Sequence, residues 1–262
     1  MGSATRIAIE RGVEALGQAQ GVTLATGEQL LAAARAIDGS AQLRALLADP
    51  TLDPADRSAL VDRVFGSLDA TAAELLKGLA SSRWSTPEQF VGGVEEIGIR
   101  AIARAERSAD IVAELFALDR AVSSDAELEL ALGSKLAAPE AKAEVVSKLL
   151  ATHGSPATIA IARHLVQSPR GRRIGALVRR AAEIVADEHD AIVATATVAR
   201  PLAPQQQASL EADLAARFGR KPRIQYLIDP NVIGGVRVRV GDTVIDGTIA
   251  SRLADLRLQL AG

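Results

Sequence analysis

The segment 228–249, I-D-P-N-V-I-G-G-V-R-V-R-V-G-D-T-V-I-D-G-T-I, decides how the C-terminal part of the chain folds. Its valines alternate with Arg237 and Arg239, which is the two-residue period of a strand with one buried and one solvent-facing side. Gly241 and Asp242 are a two-residue turn signal, after which the chain is expected to return antiparallel. The pattern therefore predicts a β-hairpin.

Turn residues flank this hairpin on both sides. Before it, 229–231 has the turn composition Asp-Pro-Asn, and Val232 is expected to open a strand. Gly234 and Gly235 offer no side chain to pack, so they predict a bulge or a place where another backbone comes close. After the hairpin, Thr248 is a candidate N-cap for a last helix.

The turn residues together form a motif. Its positions are Asp229, Pro230, Gly234, Gly235, Gly241, Asp242, Asp246 and Gly247. Eight positions in register over nineteen residues resemble the C-terminal signature of the delta subunit of the F-type ATP synthase, whose mitochondrial relative is the oligomycin-sensitivity-conferring protein. The resemblance implies a structural subunit that joins the top of the catalytic head to the peripheral stalk.

The composition of the 262 residues indicates a globular protein. Hydrophobic residues make up 48% of the chain but aromatic residues only 2%, so the core must consist of Ala, Leu, Val and Ile, as in helical bundles. A net charge of -2 gives no electrostatic reason to expect nucleic acid or an anionic membrane as partner. The chain has no cysteine, and no apolar run approaches the roughly 18 residues of a membrane span, so direct membrane insertion is not expected.

Residues 1–105 are predicted to form a six-helix bundle. Asp53 is expected to cap the fourth helix, which starts at Pro54. The first helix, 5–19, carries Ile9, Val13 and Leu16 at helical spacing. The other predicted helices are 26–37, 40–48, 70–82 and 87–105.

The sequence aligns with a shifted copy of itself in which Leu43 lies on Leu128. Further along the chain the shift is one residue longer than at Leu43, and later two residues longer. The same overlay pairs Pro54 with Pro139, Leu75 with Ile161, and Glu96 with Glu183. These matches predict a second, duplicated helical bundle over 106–190, with the helix 87–107 as an element that both copies can share. The alternative is that two alanine-rich bundles look alike; the commonest form of the family has one bundle.

Residues 191–262 are predicted to form a small β-α-β-β-α domain. A strand over 192–198 precedes a helix over 204–218, and a second strand ending at Ile228 leads into the hairpin. A terminal helix is predicted to follow, with apolar residues spaced by four and three: Ile249, Leu253, Leu256 and Leu260. The predicted fold class is α+β, predominantly α, with two tandem related helical bundles before this domain.

No motif in the sequence is typical of catalysis. The three histidines lie in separate segments without metal-ligand spacing, and there is no phosphate-binding loop. The run 187–190, D-E-H-D, is interpreted as a charged helix end that reaches solvent. We therefore expect no enzyme activity, no metal and no cofactor.

The segment 163–180 holds six arginines and no acidic residue. Such a segment can bind the phosphates of RNA, but aromatic side chains for base stacking are nearly absent. The other interpretations are a basic surface for an acidic partner and a solvated face. An RNA-binding module is therefore the least favoured alternative function, and no nucleic-acid partner is expected.

The resemblance also implies partners. In the family, a groove between the first and fifth helices of the bundle binds the amphipathic N-terminal helices of the head's alpha subunits. The matching residues here are Ile9, Val13, Leu16, Leu75, Leu76 and Leu79, or Ile97, Ile102, Ile161 and Leu165 in the second copy. The same residues are ordinary core candidates, and a core position is the favoured interpretation for more than half of them.

The C-terminal domain is expected to bind the b-type stalk subunit, with Leu253, Leu256 and Leu260 as its contact residues. The implied location is peripheral, at the cytoplasmic face of the plasma membrane, in support of proton-driven ATP synthesis. A helical scaffold of another complex is the alternative function.

Overall fold

The computed structural model describes residues 2–134 and 136–249. The chain divides into two compact units between Glu188 and His189. The described part of the first unit is helical throughout. Its helices are α1 (Ser3–Gln18), α2 (Leu24–Gly39), α3 (Ala41–Ala48), α4 (Pro54–Val64), α5 (Ala70–Ser81), α6 (Pro87–Ala105), α7 (Ile111–Ser124), α8 (Ala126–Gly133), α9 (Pro139–Leu150), α10 (Pro156–Gln167) and α11 (Ile174–Glu188).

Capping side chains and prolines fix where several of these helices begin. Asp53 caps α4, since its carboxylate accepts a hydrogen bond from the backbone N–H of Ala55 at 2.9 Å, and Pro54 occupies the first helical position. Prolines also begin α6, α9 and α10. The predicted cap and helix start at Asp53 and Pro54 are confirmed.

The helices recur in order along the chain. α3 begins at Ala41 and α8 begins at Ala126, and the starts of α4 and α9 have the same separation in the sequence. The separation is one position longer between the starts of α5 and α10, and two positions longer between those of α6 and α11. These shifts are the ones found in the sequence.

The packing recurs as well. In the first set of helices α1 packs on α5 and α6, α2 packs on α5 and α6, and α4 packs on α5. In the second set the same relations join α6 to α10 and α11, α7 to α10 and α11, and α9 to α10. α6 is therefore the sixth helix of the first set and the first helix of the second. The domain boundaries at 105/106 and 190/191 remain predictions.

α2 crosses α6 where both backbones carry glycine. A Cβ added at Gly27 would lie 2.4 Å from Ile102 Cγ1 and 2.8 Å from the carbonyl oxygen of Gly98. A Cβ added at Gly98 would lie 2.8 Å from Leu31 Cδ2. The two helices can approach this closely because neither glycine has a side chain.

In the part of the second unit that the structure describes, residues 189–249, a mixed sheet packs against the helix α12. Its elements are β1 (Ala191–Val198), α12 (Pro204–Phe218), β2 (Lys221–Ile228), β3 (Val236–Val240) and β4 (Thr243–Asp246). The strand order is β2-β1-β3-β4, with β1 parallel to β2, and with β1–β3 and β3–β4 antiparallel. α12 is the crossover between the parallel strands, and it places Leu214 against Ala194, Ala196 and Val238.

The hairpin 236–246 is confirmed. Val240 pairs with Thr243 on either side of the turn, and Gly241 takes a φ of +55°. Val238 faces the core, whereas Arg237 and Arg239 are exposed, as the alternation predicts. The predominantly helical α+β class is likewise confirmed.

Two details of the predicted C-terminal domain are wrong. The described elements follow the order β-α-β-β-β, one strand more than the β-α-β-β-α prediction before any final helix. Val232 does not open a strand, because Gly234 and Gly235 have φ values of +67° and +79°, and strand pairing begins only at Val236. The predicted terminal helix with Leu253, Leu256 and Leu260 lies outside the described residues.

The glycine pair does mark a close backbone approach, as predicted. A Cβ added at Gly235 would lie 2.4 Å from the carbonyl oxygen of Gly247, and Gly247 N–H donates to the carbonyl of Val236 at 2.9 Å. The segment before β3 is thus held directly against the end of the hairpin.

Replacement of Gly27 by alanine should lower the free energy of unfolding by about 2 kcal/mol or more, because the methyl group would collide with the α6 backbone. Gly78→Ala is the matched control, since no heavy atom lies within 4 Å of a Cβ added at this α5 position. The control should be neutral or stabilising by up to about 1 kcal/mol. Urea denaturation followed by circular dichroism measures both, and equal stability of the two variants would contradict the close approach.

A second pair of variants tests the signature glycines. Gly235→Ala and Gly241→Ala both place a side chain at positive φ, which costs about 1–2 kcal/mol, but only Gly235→Ala also meets backbone atoms. The β3 amides should therefore lose markedly more hydrogen-exchange protection in Gly235→Ala. Similar protection in the two variants would show that the contact with Gly247 is not close.

Candidate protein-docking surfaces

The residues predicted to bind a partner in the first copy divide into two groups. Leu75 is 5% exposed, and Leu16, Leu76 and Leu79 are buried as completely or more so. These four side chains contact the core. The other two, Ile9 and Val13, are half-buried at the edge of the core.

The outer side of α1 borders a cleft. Ile7 is 45% exposed there, one turn before Arg11. The remaining lining residues come from α1, from Pro50 and from the segment that follows α5: Ser3, Ala4, Ala8, Ser82, Arg83 and Trp84. Trp84 is anchored by its indole N–H, which donates to the carbonyl of Leu79 at 2.8 Å. The Trp84 side of the cleft is therefore held in place by a hydrogen bond to the end of α5.

In the second copy the matching residues are all buried. Ile97, Ile102 and Ile161 are 0% exposed and Leu165 is 2% exposed. α2 packs on both α6 and α10 and so covers the α6–α10 groove.

One polar contact joins α2 to α10 across this groove. Arg35 Nη1 lies 2.9 Å from Nδ1 of the buried His164. Because a guanidinium can only donate, Nδ1 accepts, and the proton of the neutral imidazole is on Nε2. Nε2 faces Glu95 Oε2 at 3.3 Å, so His164 links an arginine of α2 to a carboxylate of α6.

Glu95 is the centre of a buried ionic cluster. The residue is 7% exposed and also pairs with Arg170 and Arg172 from the segment before α11. Burial raises the pKa of the Glu95 carboxyl, but the hydrogen bond with His164 and the charges of Arg170 and Arg172 outweigh burial and hold this pKa below its usual range. Burial lowers the pKa of His164, and the nearby Arg35 lowers it further, whereas Glu95 acts in the opposite direction.

A second ionic cluster lies along the same helix. Glu96 accepts from Arg100 at 3.0 Å and from Arg180 of α11 at 3.1 Å. Glu188 pairs with Arg104 at 2.7 Å and with Arg100 at 3.5 Å, and its side chain is only 3% exposed. Both clusters connect α6 to the second set of helices.

The clusters correct two interpretations of the sequence. The run 187–190 does not simply reach solvent, because Glu188 is buried against Arg100 and Arg104. Arginines of the segment 163–180 are engaged with acids of α6 and α7, including Arg179 with Asp119 at 2.8 Å. This segment therefore neutralises carboxylates within its own unit, which is why it contains no acid.

The ionic clusters are not among the features predicted from the sequence, although the sequence of α6 contains a signal for them. α6 contains two adjacent glutamates, Glu95 and Glu96, inside an otherwise apolar run, with Arg100 one helical turn after Glu96. Charges on a buried helix need partners from elsewhere in the fold. The arginine-rich segment was the available source of them.

The signature residues of the second unit shape its turns. Asp229 Oδ1 accepts from the backbone N–H of Asn231 at 2.9 Å, and Asp246 Oδ1 accepts from that of Thr248 at 3.0 Å. Asp246 Oδ2 also accepts a hydrogen bond from Arg237 Nε at 3.0 Å. Asp229 and Asp246 therefore act through backbone geometry, and Thr248 is a donor to Asp246 in this structure.

Within residues 2–134 and 136–249, no group of three or more His, Cys, Asp or Glu side chains is arranged to hold a metal ion. The same residues contain no helix long and apolar enough to cross a membrane.

A predominantly helical chain with a small mixed sheet, and with half-buried apolar side chains at the edge of its core, belongs to the class of α+β proteins that offer surfaces for binding other proteins; the fold alone does not say which. The family model for the ATP synthase delta (OSCP) subunit matches residues 99–260. The ATP synthase subunit delta of Leifsonia xyli subsp. xyli is 50% identical over 264 residues, covering 100% of both chains. Those of Arthrobacter sp. (strain FB24) and Streptomyces avermitilis are each 36% identical, covering 92% and 89% of this chain and 92% and 88% of the relatives.

The chain therefore belongs to the ATP synthase delta (OSCP) subunit family. It is a non-catalytic structural subunit of an F-type ATP synthase and a component of the stator and peripheral stalk. A chain of the mitochondrial ATP synthase hexamer of Toxoplasma gondii has a TM-score of 0.39 and 24% identity over 63% of this chain and 95% of that chain, a likeness too small to carry an argument.

Acidification should destabilise the first unit through His164. Its folded-state pKa is lowered, so the unfolded state takes up the proton first, and stability falls as the pH drops below about 6.5, the ordinary pKa of histidine. Glu95, whose pKa is also lowered, adds a second loss below its ordinary range. The contribution of one histidine is limited to about 1.4 kcal/mol per pH unit.

His164→Gln should therefore flatten the dependence of unfolding free energy on pH between about 7 and 5, since this substitution removes the titrating group. Denaturation at several pH values measures the slope. His153→Gln, at an exposed position, is the control and should keep the wild-type slope. An unchanged slope in His164→Gln would show that His164 is not held neutral by the fold.

Proposed function

We propose that this chain connects the N-terminal helices of the alpha subunits in the catalytic head to the b-type subunit of the peripheral stalk. Such a connector holds the head still while the rotor turns, and in this way supports proton-driven ATP synthesis without carrying out a reaction. The family membership supports the general role. The proposed location is peripheral, at the cytoplasmic face of the plasma membrane.

We place the alpha-binding surface on α1. The match to the family model begins at residue 99, within α6, so it covers the second set of helices and most of the second unit. The α6–α10 groove, however, is covered by α2, and its apolar residues are buried. The observation that carries the assignment is that α1 keeps Ile9 and Val13 half-buried at one edge of the core, whereas Ile7 and Arg11 line the cleft on the opposite flank of the helix.

The chemistry of this surface suits an amphipathic helix. Apolar anchors supply most of the affinity when a helix docks against a groove, because they leave water on binding. Ile9 lines a pocket whose charged lining residues include Glu88 and Arg180, and such charges can fix the orientation of the docked helix. Leu16, Leu75, Leu76 and Leu79 would then support the groove from below.

The second unit is proposed to bind the b-type subunit. Its described surface includes the exposed apolar side chains of Leu227, Ile228, Ile233 and Ile249. The proposed contacts Leu253, Leu256 and Leu260 follow in the sequence. Two binding sites on one chain give avidity, so that a loaded stalk does not depend on a single interface.

The test is titration of a fluorescent alpha N-terminal peptide into the purified full chain. The double variant Ile9→Ser and Val13→Ser should weaken binding about tenfold or more, because two apolar anchors are lost. Ile228→Ser removes a comparable apolar side chain from the second unit, where it is 58% exposed, and should leave the peptide affinity unchanged. Circular dichroism of both variants checks that the fold is retained.

Wild-type affinity in the double variant would place the alpha-binding surface elsewhere. No binding by the unmodified chain would favour a scaffold role in another complex.

A further inference from the structure

A groove of about 840 Å³ opens on the second set of helices. It lies between α8, the beginning of α9 and the segment that joins α10 to α11. Its lining includes Leu130, Lys142, Arg170, Arg172, Arg173 and Ile174. This groove shares no lining residue with the α1 cleft.

In the first copy, the corresponding position holds side chains of α4 and of the segment after α5. Arg57 of α4 is buried, and its guanidinium donates to the carbonyls of Ser82 and Ser81 at 3.0 and 3.2 Å. These bonds tie α4 to the end of α5. Trp84 packs against Phe90 in the segment that follows, with ring centroids 5.6 Å apart.

The second copy lacks both of these contacts. Lys142 occupies the position that matches Arg57 in the repeat, but its ammonium group donates to the carbonyl of Ser134 at 3.1 Å and does not reach the end of α10. The segment after α10 has no tryptophan, and Arg170 and Gly171 turn there with φ values of +48° and +74°. The bonds by which Arg57 ties α4 to the end of α5 therefore have no equivalent between Lys142 and the end of α10.

The open groove has a defined chemistry. Lys142, Arg170, Arg172 and Arg173 line the groove together with Asp38 and Glu129. Arg170 and Arg172 also pair with Glu95, but the Arg172 side chain stays 40% exposed, so Arg172 and Arg173 still present positive charge at the surface. Arg172 and Arg173 are exposed. Leu130, on the α8 wall, is 76% exposed, and Ile174 lies buried beneath. The surface thus combines apolar contact with an excess of positive charge.

We propose that this groove docks an acidic, leucine-bearing helical segment of a partner protein. Leucines of the partner would cover Leu130, and its carboxylates would face Arg172 and Arg173. The chain's own segment 250–262 has the wrong charge for this place, because it carries Arg252 and Arg257 against one acid, Asp255. A partner with acidic residues is complementary.

The experiment uses the full chain and a labelled synthetic helix of about four turns, with leucines spaced by three and four residues and glutamates beside them. Fluorescence anisotropy should show saturable binding that weakens as salt is added. The same helix with lysine in place of every glutamate should bind at least about tenfold more weakly.

Two substitutions locate the site. Arg173→Glu and Leu130→Ser should each weaken the acidic helix about fivefold or more, because one removes charge attraction and the other an apolar contact. Arg63→Glu on α4 and Leu46→Ser on α3 change exposed residues of the same types in the first copy, away from the groove, and should leave affinity unchanged. All four positions are at the surface, so the fold should persist, which circular dichroism confirms.

Several outcomes would overturn the proposal: no binding of the acidic helix, equal binding of the lysine helix, or equal effects of the first-copy variants. Binding of inorganic polyphosphate, without binding of the acidic helix, would instead assign the groove to phosphates. Self-association that Leu130→Ser abolishes, measured by analytical ultracentrifugation, would assign it to a second copy of this chain.

Discussion

The fold of the first unit depends on the burial of α6 between two sets of helices. This helix supplies the sixth position of the first set and the first position of the second, so both of its sides must be covered. One side is matched to α2 through Gly27 and Gly98, where the backbones approach too closely for any side chain. The other side carries Glu95 and Glu96, which need positive partners because an unpaired buried carboxylate is costly.

The arginine-rich segment is explained by this requirement. Arg170, Arg172 and Arg180 reach back to the two glutamates of α6. The partners are far apart in the sequence, so the pairs fix the second set of helices against the first only in the folded state. A segment that looks suited to RNA is thus used mainly to compensate buried charge within the protein.

The two sets of helices have different surfaces because one helix is shared. α1 has solvent on its outer side, so its apolar residues can remain available for a partner. α6, its counterpart in the second set, is covered by α2 and α11 and has no such freedom. Conversely, Arg57 ties α4 to the end of α5 in the first set, whereas Lys142 bonds Ser134 and lines a groove in the second set. Duplication followed by divergence at such positions can give one chain several docking surfaces without a new fold.

A connector in a stator must transmit load between partners, and the ionic pairs on α6 suit this task. They resist sliding of the two sets of helices, because each displacement would leave a charge unpaired in the interior. The neutral His164 has the same effect, since it joins an arginine of α2 to a carboxylate of α6. The titratable groups of this arrangement thus hold α2, α6 and α10 in position relative to one another.

The sequence by itself determined the helices, the repeat and the hairpin, because each depends on neighbours close by in the chain. Asp53 and Pro54 start α4, Gly241 turns the hairpin, and the repeat follows from helix starts that recur at a nearly constant shift. It could not show that Val232 lies outside β3, nor which of the apolar candidates for partner binding, such as Leu75 and Ile161, are fully buried.

Only the tertiary structure decided which apolar faces remain open and which charges pair. Leu75 and Ile9 have the same helical pattern in the sequence, and their exposure differs because other helices cover one and leave the other at the edge. Glu95 and its arginines likewise meet only after distant segments pack. Local sequence fixes the elements, whereas burial and ion pairing depend on contacts between residues far apart in the chain.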